Sequence, residues 1–133
     1  MLALAVLVAA LAGCGSDSSA GTSGDTRLTV TYWPSGPHGG AKRTWTLRCE
    51  PAGGSLPRPA AACRKLATDP AAVAEPVPPS TVCAQIYGGP QTARIIGTVE
   101  GERVSTAFSR TNGCEISRWD TLSPWLLPRG GAI

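Results

Sequence analysis

Apolar and polar residues alternate from Leu28 to Trp33: Leu28, Val30 and Tyr32 are apolar and Thr29 and Thr31 are polar. A period of two marks a strand with one face buried. Pro34-Ser35-Gly36-Pro37-His38-Gly39-Gly40 breaks the run, and alternation resumes from Thr44 to Cys49 with Trp45, Leu47 and Cys49 on one face. These two segments predict an antiparallel hairpin with a long loop. A Gly/Pro loop from Pro51 to Pro57 leads into Pro59–Thr68, which reads as a short helix. Proline suits a first helical turn, the alanines favour the body, and Pro70 lies just past the end. Ala62, Cys63, Leu66 and Ala67 would share its inner face, with Cys63 turned toward the core where it can meet Cys49. Pro70 to Ser80 carries four prolines and predicts a stiff connection. Val82 to Tyr87, between that connection and Gly88-Gly89-Pro90, predicts an exposed, braced loop. Ala93–Val99 and Arg103–Ser109 predict two strands joined by Glu100-Gly101-Glu102. Cys114–Trp119 predicts a last strand, and the tail from Pro124 is apolar but interrupted by Pro128 and Gly130-Gly131. The pattern is that of an α+β domain: a small antiparallel sheet of about five strands with one main helix on one face.

The start of the chain has a different pattern. Leu2 to Ala12 is an unbroken run of Leu, Ala and Val, too short to span a bilayer and typical of the apolar part of a signal peptide. It ends in Leu11-Ala12-Gly13-Cys14, which looks like a bacterial lipobox. Residues 1–13 are therefore expected to be a lipoprotein signal peptide. Cys14 is the expected lipidation site, residues 14–26 a flexible tether rich in Gly, Ser, Thr and Ala, and residues 27–133 the folded domain. The chain is then exported: a lipoprotein held outward on the cell membrane by lipid alone, or an extracellular protein if the anchor is absent.

Setting Cys14 aside leaves Cys49, Cys63, Cys83 and Cys114, an even set that in a small exported domain reads as two disulfides. Three pairings are open, and spacing alone does not choose among them. Zinc is a poor alternative, because the chain has no CxxC pair and a single histidine, His38. The net charge of +3, with no Lys/Arg cluster longer than two residues, gives no warrant for nucleic-acid binding. An enzyme is not expected either, since there is no catalytic Ser/His/Asp set: His38 stands alone in a Gly/Pro loop. Glu50, Asp69, Glu75, Glu100, Glu102, Glu115 and Asp120 read as solvated surface, and no cofactor is implied. Trp33, Trp45, Trp119 and Trp125 read as packing residues rather than the lining of a ligand groove.

The cysteines and their neighbours resemble the Streptomyces subtilisin inhibitor family. Leu47-Arg48-Cys49-Glu50-Pro51 and Ala62-Cys63-Arg64-Lys65-Leu66 match its strand ending in cysteine and its helix bearing the second. Cys83-Ala84-Gln85-Ile86-Tyr87 matches the reactive loop, Gly101-Glu102-Arg103-Val104-Ser105 a strand start, and Asn112-Gly113-Cys114 the Asn-x-Cys ending. The resemblance implies disulfides Cys49–Cys63 and Cys83–Cys114. It also implies a substrate-like loop with reactive-site residues Gln85 and Ile86 and a scissile bond between them. Val82, Cys83, Ala84, Tyr87 and Gly88 would complete the protease-binding loop, with Asn112 as its support. The partner implied is a subtilisin-like serine protease, and a homodimer through an exposed sheet face is a further implication. Ala84 stands where the family often has proline, and Gly88-Gly89-Pro90 replaces a shorter continuation. Those departures suit the alternative reading, a membrane-anchored lipoprotein of the same fold that binds a cell-envelope partner without inhibiting proteases.

Overall fold

The computed structural model describes residues 25–130. The leader read over 1–13, Cys14 and nearly all of the tether lie outside the described residues. Four strands form one antiparallel sheet in the order β2-β1-β3-β4: β1 (Arg27–Trp33), β2 (Arg43–Arg48), β3 (Thr92–Val99) and β4 (Glu102–Phe108). The register pairs Val30 with Trp45 on one side and with Ile95 on the other, and Ile95 with Thr106. Alternation therefore places Leu28, Val30, Tyr32, Leu47, Ala93, Ile95, Val104 and Phe108 on one buried face. Thr29, Thr31, Arg94, Ile96 and Ser105 occupy the open face. β3 and β4 are joined by the two residues Glu100-Gly101, both at positive φ (49° and 82°), the conformation a tight hairpin with native twist requires.

Three helices close the buried face: α1 (Pro59–Thr68), α2 (Ala71–Ala74) and α3 (Gly113–Leu122). α1 contributes Ala62 and Leu66 to the core, α2 contributes Val73, and α3 contributes Trp119 and Leu122. Cys63 is half-buried against the core, whereas Ala67, expected on the same inner face, is exposed. The tail returns across α3. Leu126 and Leu127 are buried, and the Trp119 indole N–H donates to the Pro128 carbonyl at 2.8 Å. Burying a side chain the size of Ile95 or Leu122 contributes roughly 1.5 to 3 kcal/mol, so this layer supplies much of the domain's cohesion. Among the tryptophans only Trp119 is fully buried; Trp45 stacks on Tyr32, and Trp33 and Trp125 are half-buried.

Two expectations need correcting. Cys114–Trp119 is not a fifth strand but the body of α3, and the sheet has four strands. The physical reason is a helix start: the Asn112 side chain accepts the Glu115 N–H at 3.0 Å, the N-cap bond that an Asn-x-x-Glu sequence favours. From there Ile116, Trp119 and Leu122 recur every three residues and fall on the inner side. The connection Pro70–Ser80 also contains a helical turn, since Pro70 acts as the cap of α2 rather than only as a stop.

The ends of the sheet have different neighbours. Where residue 25 leads into β1, the Gly101 N–H donates to Asp25 O at 3.0 Å and the Glu100 N–H to Thr26 Oγ1 at 2.9 Å. Cys49 sits at this end too, its N–H donating to Thr26 O at 3.1 Å. At the other end β3 begins and β4 finishes.

Candidate functional site

That second end carries the segment 81–90, which has no regular secondary structure. A turn leads in, with the Thr81 N–H donating to Pro78 O at 3.0 Å. Three apolar side chains then stand in solvent: Val82 is 95% exposed, Ile86 56% and Tyr87 68%. Side chains of this kind are ordinarily buried, so three within six residues mark a contact surface. Ala84 and Gln85 are exposed between them. The Ile86 N–H donates to Ala84 O at 2.9 Å, a three-residue turn centred on Gln85. The Gln85 side chain folds back, its Nε2 donating to Cys83 O at 3.2 Å.

The loop is held from behind at two places. Upstream of Gln85, Cys83 is bonded to Cys114 in the first turn of α3. Beside that bridge the Gly113 N–H donates to Ala84 O at 2.8 Å. Gly113 is the first residue of α3, and the opening N–H groups of a helix have no partner within it. One such donor is taken by the Asn112 side chain and another by the loop. Asn112 thus caps α3, and the adjoining Gly113 makes the main-chain bond to Ala84.

Downstream, Gly88 is held by a residue that sequence reasoning missed. Arg110, just past β4, accepts the Gly88 N–H on its carbonyl at 2.7 Å and returns a bond from Nε to Gly88 O at 3.2 Å. The same guanidinium meets Asp120 Oδ1 at 3.0 Å and lies 5.9 Å from the centre of the Trp119 ring. Its side chain is only 9% exposed. A Cβ at Gly88 would come within 2.8 Å of Ile116 and 3.2 Å of Arg110 Cβ, so glycine is what lets the loop lie this close to the body.

Val82, Cys83, Ala84, Gln85, Ile86, Tyr87 and Gly88 therefore form one contiguous surface backed by Cys114 and the start of α3. Cys49 and Cys63, bonded to each other, fasten α1 to the end of β2 at the far end of the sheet, away from this loop. His38 is exposed in its own loop. Among the described residues no group of three or more His, Cys, Asp or Glu is placed to hold a metal, and no helix is long and apolar enough to cross a membrane.

Two sequence comparisons with known proteins point to a family. A family model, subtilisin inhibitor-like, matches residues 23–112. Subtilisin inhibitor-like protein 1 of Streptomyces cacaoi is 38% identical over 82 residues, covering 59% of this chain and 74% of that protein. Among solved structures, Streptomyces caespitosus sermetstatin, crystallised in complex with Bacillus licheniformis subtilisin, is 29% identical, with a TM-score of 0.47. That match covers 71% of this chain and 91% of that one.

Proposed function

The chain belongs to the subtilisin inhibitor-like family, and on that premise we propose that it inhibits subtilisin-like serine proteases through a substrate-like loop with Gln85–Ile86 as the scissile bond. The family is one of inhibitors and not of enzymes. The observation that carries the reading is the placement of this bond. It stands outward between two anchors, Cys83 on one side and Gly88 on the other, with exposed apolar residues flanking it.

A protease cleft binds peptides as an added strand, so Val82, Cys83 and Ala84 would pair with the enzyme main chain while Gln85 enters the specificity pocket. Rigidity separates inhibitor from substrate. A loop already tied to the body loses little freedom on binding, and its cleaved ends stay close enough to rejoin. The turn that joins the Ile86 N–H to Ala84 O opens as the strand pairs, freeing the Ile86 N–H while Ala84 O keeps its bond from Gly113. Gln85 carries no charge for the carboxylate of a trypsin-like pocket, which directs the loop to broad-pocket subtilisins.

Export follows from the two disulfides, which persist in oxidising compartments. Lipidation at Cys14 would keep the domain on the outer face of the membrane. Mass spectrometry of the mature protein from its own host should find acylated Cys14 as the first residue; any other N-terminus removes the anchor. The open sheet face, with Ile96 at its centre, is the surface for a homodimer, and sedimentation showing only monomer at micromolar concentration removes that claim.

Titrating a subtilisin with the full chain should abolish proteolysis at equimolar inhibitor. Any cleavage should be confined to Gln85–Ile86. Undiminished proteolysis would favour the non-inhibitory envelope-binding reading, and cleavage elsewhere would move the active surface off this loop.

A further inference from the structure

We propose that Arg110 is the positioning residue for the amine side of the reactive bond, and that its buried guanidinium keeps the loop an inhibitor rather than a substrate. The proposal rests on the reading of Gln85–Ile86 as the scissile bond.

The chemistry states what must be held. Attack by the protease serine on the Gln85 carbonyl breaks the C–N bond to Ile86 and leaves Gln85 as a seryl ester. The serine proton passes through the enzyme's histidine to the Ile86 nitrogen, which becomes a free amine. In the reverse step that amine attacks the ester carbon, the peptide bond re-forms, and the proton returns to the serine oxygen. Water competes for the same ester and yields a Gln85 carboxylate. The outcome depends on how often the amine lies at the ester carbon, and that is a matter of positioning.

The acyl side is held covalently through Cys83–Cys114 and by the Gly113 to Ala84 bond. The amine side has no covalent tie. Its hold nearest the cut is at Gly88, where Arg110 engages both the N–H and the C=O, and strand pairing resumes only at Thr92. Without the side-chain bond the new amine would swing on a longer free segment.

A charged group is buried in this way only when partners compensate it, and here they are identified: Asp120, Gly88 O and the Trp119 ring face. Asp120 and Trp119 belong to α3, the helix that also carries Cys114 and Gly113. Both anchors therefore rest on a single element, and Arg110 transmits its position to the far side of the bond. Surface solubility would not require a guanidinium at 9% exposure with a fork divided between helix and loop.

The test uses the full chain as wild type, Arg110→Met and Arg110→Lys. Each is incubated with catalytic subtilisin, and intact and cleaved chains are counted by mass spectrometry. Hydrogen exchange over residues 86–89 is measured on the free protein, and thermal melting alongside. Arg110→Met should be cleaved at Gln85–Ile86 faster per bound complex by roughly 10- to 100-fold, the factor a charge-assisted hydrogen bond is worth. Exchange at Gly88 should quicken, and Arg110→Lys should recover part of both effects. Should Arg110→Met fail to fold, Asp120→Asn carries the same measurements, since Asp120 meets the guanidinium and makes no bond to the loop. Cleavage and exchange indistinguishable from wild type in the folded variant would overturn the proposal. A wild-type chain that does not inhibit at all would defeat the functional reading, whereas exchange at Gly88 would still decide whether Arg110 holds the loop.

Discussion

The two sides of the Gln85–Ile86 bond are fastened by different means. Upstream, one covalent bridge and one main-chain hydrogen bond join the loop to the start of α3. Downstream, a single arginine joins it to the end of β4 and, through Asp120, to the middle of the same helix. A disulfide holds at any salt concentration and acts partly by restricting the unfolded chain. A buried guanidinium holds only while each of its partners is in place. The upstream tie is accordingly robust and the downstream tie conditional. On the proposed mechanism inhibition needs both, because religation requires two ends in register.

Removing the robust tie should have the largest effect. Closing a segment with a sequence separation of 31 stabilises the fold by on the order of 3 to 4 kcal/mol in the chain-entropy model. The double variant Cys83→Ser/Cys114→Ser should lose about that much in denaturant unfolding. It should also be digested by subtilisin at Gln85–Ile86 instead of inhibiting it. Retained stoichiometric inhibition would mean that the downstream tie suffices.

Gln85→Lys leaves both ties intact and changes only what the loop offers. An ammonium facing the carboxylate of a trypsin-like pocket adds about 1.5 to 3 kcal/mol of charge-assisted bonding. Inhibition constants should therefore fall against trypsin by roughly 10- to 100-fold. No gain would place the specificity residue elsewhere.

The smallest expected effect belongs to Asn112→Ala. It removes the cap bond to Glu115 and should cost about 1 kcal/mol in thermal or denaturant unfolding. Because the Gly113 N–H still faces Ala84, cleavage by subtilisin should change much less than in the disulfide variant. A loss of inhibition out of proportion to the loss of stability would show that Asn112 supports the loop directly.

The same contrast marks what could be read in the amino-acid sequence. Period-two alternation marks β1 and β2, and strand-like runs about the Glu100-Gly101-Glu102 hairpin signal mark β3 and β4, all to within a residue at each end; α1 spans Pro59–Thr68 as read. The bridge to Cys114 was implied by the resemblance, since cysteines advertise their use. α3 is disguised in the sequence because Cys114 and Ile116 alternate with polar neighbours over a short span, which imitates a strand, although Asn112-x-x-Glu115 is a helix start. Arg110 left no mark at all. Its neighbours in sequence, Ser109 and Thr111, are those of an ordinary surface turn, and its partners lie 10 and 22 residues away. Only the fold makes that charge an interior one.

The placement of residue 25 beside the Glu100-Gly101 turn has a consequence for how the domain would be deployed. Whatever precedes residue 25 joins at one pole of the sheet, and the loop projects from the other. The eight residues of β3 separate the two by about 3.3 Å each, a lever arm of over twenty ångströms. A protease docked on the loop, as proposed, would therefore sit at the pole opposite residue 25. If Cys14 carries the proposed lipid, a cut between it and residue 25 would release the domain with the loop pole untouched. An anchored sentinel and a shed inhibitor would then be the same folded object, differing only outside the fold.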